Sequence, residues 1–249
     1  MLFKSKTRTL LPVEVVQIRD VTPHMRRITV IGDGLHTMEV TLPGQWVKMF
    51  VPSGTSDPSG SESKIGRAYT IRDFDRAAGR MDIDLALHGE EGPASKWAVH
   101  ARLGEQIELA GPRGGYEIDM SARRYTLIGD ATALPAIASI LQCLPESIDA
   151  EAFIEVADTH EEQVLKSHAR LRVHWLHSGR RLPGTSGLME ALVREADFDT
   201  LGHRVWLAGE SSMVRAVRDH LLGERGLPRS AVRAAGYWKL GVADHRERD

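Results

Sequence analysis

Arg67-Ala68-Tyr69-Thr70-Ile71-Arg72 is the stretch on which the reading of this chain turns. An arginine stands at each end, and the alternation of apolar and polar positions between them is that of a strand. The planar fork of arginine matches phosphate. Tyr69 presents a flat, rigid face, and Thr70 a short hydroxyl that donates or accepts one hydrogen bond. Such a set suits a flat ring that carries a phosphorylated tail. It equally suits an ordinary barrel strand with solvated arginines, and the surrounding chain has to separate the two.

Short β-branched or alternating runs surround the hexapeptide: 13–18, 25–31, 45–51, 68–71, 81–87 and 106–109, punctuated by Gly, Pro, Asp and Ser. Spacing of this kind predicts an antiparallel barrel or sandwich. Residues 53–63 (SGTSDPSGSES) are polar and Gly/Ser-rich, and are expected to form a flexible loop within the domain. The one helical signal in this half is Gly92–Ala98. Pro93 suits a first helical turn, and the backbone N–H groups of a helix so opened suit a phosphate. A plain connector between strands is the alternative.

The texture changes at Ser121. Strand runs at 124–129, 150–157, 171–176, 204–208 and 231–235 alternate with helical runs at 132–144, 161–167, 188–196 and 211–224. Alternation predicts a parallel sheet covered on both faces. The expected organisation is therefore an all-β domain, 1–120, followed by an α/β domain, 121–249.

Composition narrows the function classes. A chain of 249 residues has room for two ordinary domains, and 42% hydrophobic with 27% charged residues is the balance of a soluble globular protein. A net charge of −2 gives no global attraction to nucleic acid or to an anionic membrane, and neither is expected as a partner. No stretch approaches a membrane span or a secretory leader, so a reducing cytoplasm is the expected compartment. The single cysteine, Cys143, lies in the apolar run ASILQCL and is expected to be a buried structural thiol. No Cys/His spacing suggests a metal site, and no Ser-His-Asp or Cys-His arrangement suggests a nucleophile.

Arg-x-Tyr-Thr-x-Arg resembles the flavin-binding signature of the ferredoxin-NADP reductase superfamily. His88–Ala98 (HGEEGPASKWA), Gly111–Gly114 (GPRG), Gly129–Ile137 (GDATALPAI) and Gly236–Gly241 (GYWKLG) follow in order. Together the five segments resemble the siderophore-interacting protein family, the flavin-dependent ferric-siderophore reductases, over nearly the whole chain.

The resemblance implies an FAD-binding β-barrel and a ferredoxin reductase-like α/β domain, with FAD where the two domains join. It implies that Arg67 and the backbone around Gly92, Ala94 and Ser95 hold the FAD phosphates. Tyr69 stacks on the ring, Thr70 reaches its reactive nitrogen, and Ala68, Arg72 and His88 contribute contacts. Trp97 packs on the flavin or fills the barrel mouth. Asp130, Thr132 and Ala133 form a turn facing flavin and nicotinamide, or simply a helix cap. The usual form of that turn is Gly-Asp-Glu-Thr-Ala-Leu-Pro, and Ala131 stands where glutamate is common.

Glu210 is either near the nicotinamide or a helix-terminal charge. Residues 178–181 (SGRR) hold the adenosine phosphate of NADPH or form a solvated loop, and Arg113 is a phosphate contact or a turn charge. Lys48 and Lys239 are candidate contacts to an anionic ferric siderophore, though Lys48 equally suits an outward strand position with its head in solvent. NAD(P)H or a ferredoxin is the expected electron donor, and a monomer the default. A flavin or ferredoxin reductase without siderophore, and a non-catalytic siderophore carrier, are the competing readings.

Overall fold

A computed structural model describes residues 9–56, 62–87 and 92–242. The chain divides into two compact units, one ending at Gly115 and the other beginning at Tyr116. The first is a closed antiparallel barrel. Its strands are β1 (Leu11–Thr22), β2 (Met25–Ile31), β3 (Gln45–Ser56), β4 (Glu62–Asp75), β5 (Arg80–Ala86) and β6 (Gln106–Gly114), in the order β1-β2-β5-β4-β3-β6. Closure leaves no sheet edge to pair with another chain.

Alternation fills the barrel. Val13, Val15, Ile28, Val30, Val47, Met49, Met81, Ile83, Leu85, Ile107 and Leu109 point inward and are buried. Each such side chain contributes about 1.5–3 kcal/mol when removed from water. α1 (Pro93–His100) packs against β3, β4 and β5 and adds Ala94, Trp97 and Ala98 to the same core.

The second unit is a parallel sheet. Its elements are β7 (Arg124–Asp130), α2 (Leu134–Cys143), β8 (Asp149–Val156), β9 (Arg170–His177), α3 (Leu188–Glu195), β10 (His203–Glu210), α4 (Ser211–Asp219) and β11 (Val232–Trp238). The strand order is β11-β10-β7-β8-β9. The order reverses beside β7, the place where open α/β sheets bind ligands at the carboxyl ends of their strands. Residues 116–120 cluster with this unit: Tyr116 meets Tyr125 edge-on at 6.3 Å, the Asp119 amide donates to the Tyr125 hydroxyl at 2.7 Å, and Asp119 pairs with Arg204.

Three local expectations need correction. No α-helix forms over 161–167; only a 3-10 turn, Thr159–Glu161, is present, with the Asp158 carboxylate accepting from the His160 amide. A helix is held mainly by an apolar face it buries, and here Val164 is 91% exposed. The Ser167 hydroxyl instead ties this segment to the Leu141 carbonyl at the end of α2, at 2.7 Å. Cys143 is exposed, not buried, because Leu141 and Leu144 occupy the inward face at the end of α2. The polar run 53–63 does not form a loop throughout: β3 reaches Ser56 and β4 starts at Glu62, while 57–61 lie outside the described residues. Among the described residues no helix is long and apolar enough to cross a membrane.

Candidate functional site

β4 carries the hexapeptide in antiparallel register with β3: Arg67 opposite Met49, Tyr69 opposite Val47 and Thr70 opposite Trp46. Strand periodicity therefore puts Arg67 and Tyr69 on one face and Ala68, Thr70 and Lys48 on the other. Tyr69 packs against the barrel core. Burial pushes its phenol up to about 12, against the pull of Arg67, so the ring stays neutral. Arg67 donates to the Gly66 carbonyl at 3.1 Å. Thr70 is buried.

The α1 N-terminus has the character the sequence suggests for an anion site. Gly92 is its extended N-cap, no side chain caps it, and no acidic residue stands in its first turn. Among the described residues, no carboxylate in the first turn offsets the helix dipole there. Ala94 is buried and Ser95 half-buried. Trp97 is in the core, with its indole N–H donating to Glu105 at 2.6 Å, which is the barrel-filling alternative. His88 lies outside the described residues.

Arg72 belongs to a buried ionic network on the outer barrel wall. Arg27 holds Asp84 in a bidentate pair at 2.6 and 2.7 Å, Thr29 donates to Asp82 at 2.8 Å, and Arg72 stands 3.9 Å from Asp84. Asp82 and Asp84 alternate with the core residues of β5, and no local pattern in the sequence shows which cations meet them. On the same wall Lys48 lies over the Phe50 ring at 5.6 Å, and Arg113 over Trp46 at 5.6 Å. A cavity of about 370 Å³ elsewhere on the barrel, lined by Glu14, Asp33, His36 and Gln106, holds none of these residues.

In the second unit the strand ends converge on two carboxylates. Asp130 Oδ1 accepts from the Thr132 amide at 2.9 Å and the Thr132 hydroxyl at 2.5 Å. Its Oδ2 accepts from the Glu210 amide at 2.9 Å and the Trp238 indole at 2.8 Å. Ala133 is the N-cap of α2, without a side-chain cap bond. Glu210 is the N-cap of α4, accepting from the Ser212 and Met213 amides; that is the helix-terminal alternative. Burial, followed by Asp130 and Glu190, holds the nearby Glu155 carboxyl above the usual range, while Ser186 opposes this through a 2.7 Å bond. Ser178 donates to the Val156 carbonyl. Lys239 follows β11 and is exposed. The role of Trp238 escaped sequence reasoning, since its partner Asp130 lies 108 residues away.

Among the described residues no group of three or more His, Cys, Asp or Glu converges as a metal site. The arginine, the neutral aromatic and the uncapped helix terminus of the barrel do fit a flavin nucleotide, since they supply cation, ring face and amides to a flat ring with phosphates.

Comparison with known proteins agrees with that fit. The siderophore-interacting FAD-binding domain model matches residues 14–63 and 54–116, and the siderophore-interacting protein model matches residues 122–241. A siderophore utilization protein from T. fusca superposes with a TM-score of 0.86 at 32% identity, covering 96% of this chain and 95% of that one. The ferric vibriobactin reductase ViuB of Vibrio cholerae is 28% identical over 95% of this chain and 93% of its own length. The mycobactin import ATP-binding/permease protein IrtA of Mycobacterium tuberculosis is 31% identical over 92% of this chain. The chain spans only about a quarter (26%) of that relative's length. Ferredoxin reductase-type structures share the barrel-plus-sheet fold at 19% identity or less, a likeness of fold alone. The chain belongs to the siderophore-interacting protein family, with an FAD-binding barrel followed by a ferredoxin reductase-like parallel sheet.

Proposed function

We propose that this protein reduces Fe(III)-siderophores to Fe(II) in the cytoplasm, as a monomer, using bound FAD and electrons from NAD(P)H or a ferredoxin. The observation that carries the reading is Arg67 and the neutral Tyr69 sharing one face of β4, beside a helix whose N-terminus has neither a side-chain cap nor an acidic first turn. The division at residues 115/116 is read as the boundary between the FAD-binding domain and the NAD(P)H-binding-like domain.

Arg67, with the Ala94 and Ser95 amides, holds the phosphates. Tyr69 supplies a ring face that stays uncharged across the physiological range, because its phenol sits at about 12. Thr70 offers its hydroxyl at the ring edge, and Ala68, Arg72, His88 and Gly92 complete the cradle. Asp130, Thr132 and Ala133 shape the turn at the end of β7. Bound there, FAD would supply redox chemistry that couples a two-electron nicotinamide donor, or a one-electron ferredoxin, to one-electron reduction of iron. Iron here is substrate. Lys48 and Lys239 are the cations that attract the anionic chelate. No side chain has to act as acid, base or nucleophile. Ferrous iron is held less tightly by the chelator, so reduction releases it. The relative named as a ferric vibriobactin reductase supports this reaction class.

The test is steady-state trapping of Fe(II) by a chromogenic chelator, with NADH, NADPH and reduced ferredoxin supplied in turn. Fe(II) formed with at least one donor is the expected result. FAD-loaded protein that forms none with any donor, yet binds the ferric chelate, would instead be a carrier.

A further inference from the structure

Asp130 and Glu210 converge on the residues that flank Lys239. Trp238 is held twice: its indole N–H donates to Asp130 Oδ2 at 2.8 Å, and its carbonyl accepts from the Ser211 hydroxyl at 2.8 Å. On the other side of the lysine, the Leu240 amide donates to Glu210 Oε1 at 3.3 Å. The Lys239 carbonyl accepts from the Val242 amide at 3.0 Å, closing a tight turn. The two carboxylates are themselves tied, since the Glu210 amide donates to Asp130 Oδ2 at 2.9 Å.

The backbone around this socket is close-fitting. Gly209 has φ +145°, and a Cβ there would lie 2.6 Å from Asp130 Oδ2. Gly184 has φ +77°, and its Cβ would lie 2.6 Å from Glu210 Cγ and 3.2 Å from the Trp238 ring. Apolar burial does not account for the arrangement. Lys239 is exposed, and Leu240 and Val242 are each 48% exposed. A segment with so little buried surface frays unless polar contacts hold it.

We propose that Asp130, Glu210 and Trp238 are positioning residues that fix the backbone on both sides of Lys239, so that its ammonium meets an anionic ferric chelate without first being ordered. This rests on the reading of Lys239 as a chelate contact. A preorganised cation loses less freedom on binding than one on a loose tail. Asp130 serves through the chain's own groups, since both of its oxygens are engaged by Thr132, Glu210 and Trp238.

The experiment measures binding to the FAD-loaded protein by calorimetry, with gallium(III) enterobactin as a redox-inert trianionic probe. Lys239→Ala is expected to weaken binding about tenfold, the scale of one lost charge contact. Trp238→Phe removes the N–H donor and leaves a smaller aromatic ring, and is expected to weaken binding about threefold. In the Lys239→Ala background, Trp238→Phe is expected to add nothing, because it acts through the lysine. Ser211→Ala, which removes the bond to the Trp238 carbonyl and leaves the indole in place, repeats the test should Trp238→Phe fail to fold. If Trp238→Phe weakens binding equally with and without Lys239, the socket is overturned while the chelate contact stands. If Lys239→Ala binds as the wild type does, the contact and the socket both fall. If the wild type does not bind the probe, the siderophore reading itself falls.

Discussion

Arg67 carries its charge on the face of β4 that also holds Tyr69, and Tyr69 packs against the barrel core. On the proposed reading, replacing Arg67 by alanine removes a phosphate contact without opening a cavity in the core. Arg67→Ala is therefore expected to lower FAD affinity about tenfold or more, with the urea midpoint of the second unit unchanged; unaltered flavin occupancy in purified protein would refute the assignment. His203 makes a different prediction. It is 1% exposed, and burial first, then Arg124, pushes its pKa down to about 4. In the unfolded chain a histidine titrates near 6.5. Between these values the unfolded state binds the extra proton, so stability is fully present above pH 6.5 and is lost as pH falls toward 4. The loss amounts to roughly 2–3 kcal/mol. Urea titrations across that window should show the slope in the wild type and a flatter one in His203→Asn; equal slopes would contradict the buried neutral imidazole.

At the scale of elements, most of the fold was legible because periodicity and burial agree. Met81, Ile83 and Leu85 alternate in sequence and all face the barrel interior, and the strand–helix alternation after Ser121 became the parallel sheet. The exceptions have physical reasons. Residues 161–167 look helical by propensity but have no face to bury, and Val164 is left outside. The close approach of β7 and β10 is not written in either strand alone. Gly209, at φ +145°, leaves no room for a side chain beside the Asp130 carboxylate. Gly209→Ala should cost about 1–3 kcal/mol in backbone strain, with a further loss from displacing Asp130. Thermal unfolding checks this, and an unchanged midpoint would mean that the approach is looser than described.

For the molecule as a whole, the candidate site was legible as motifs and not as contacts. RAYTIR and the Gly-Pro-opened helix could be found by reading along the chain, since each lies within one element. Asp130 can be placed in a βα turn from the sequence, and its local partner Thr132 with it, whereas its bonds to Glu210 and Trp238 join groups that only folding brings near. Charge is likewise a local matter. With a net charge of −2, the proposed attraction of an anionic chelate rests on local cations, Lys48 and Lys239. Raising salt from about 0.05 to 0.5 M shortens the Debye length from roughly 14 to 4 Å. The apparent KM for a trianionic ferric chelate should then rise severalfold, and that for a neutral one should not. Equal responses would remove Lys48 and Lys239 from recognition.

The most direct test of the central claim is an anaerobic visible spectrum of the purified protein, recorded alone, after NADPH or reduced ferredoxin, and again after a ferric siderophore. The account predicts flavin bands that bleach with one of the donors and return on adding the ferric chelate, with Fe(II) appearing in step. Protein that shows no flavin bands even after incubation with FAD, or bleached protein that stays bleached in the presence of the chelate, would contradict it.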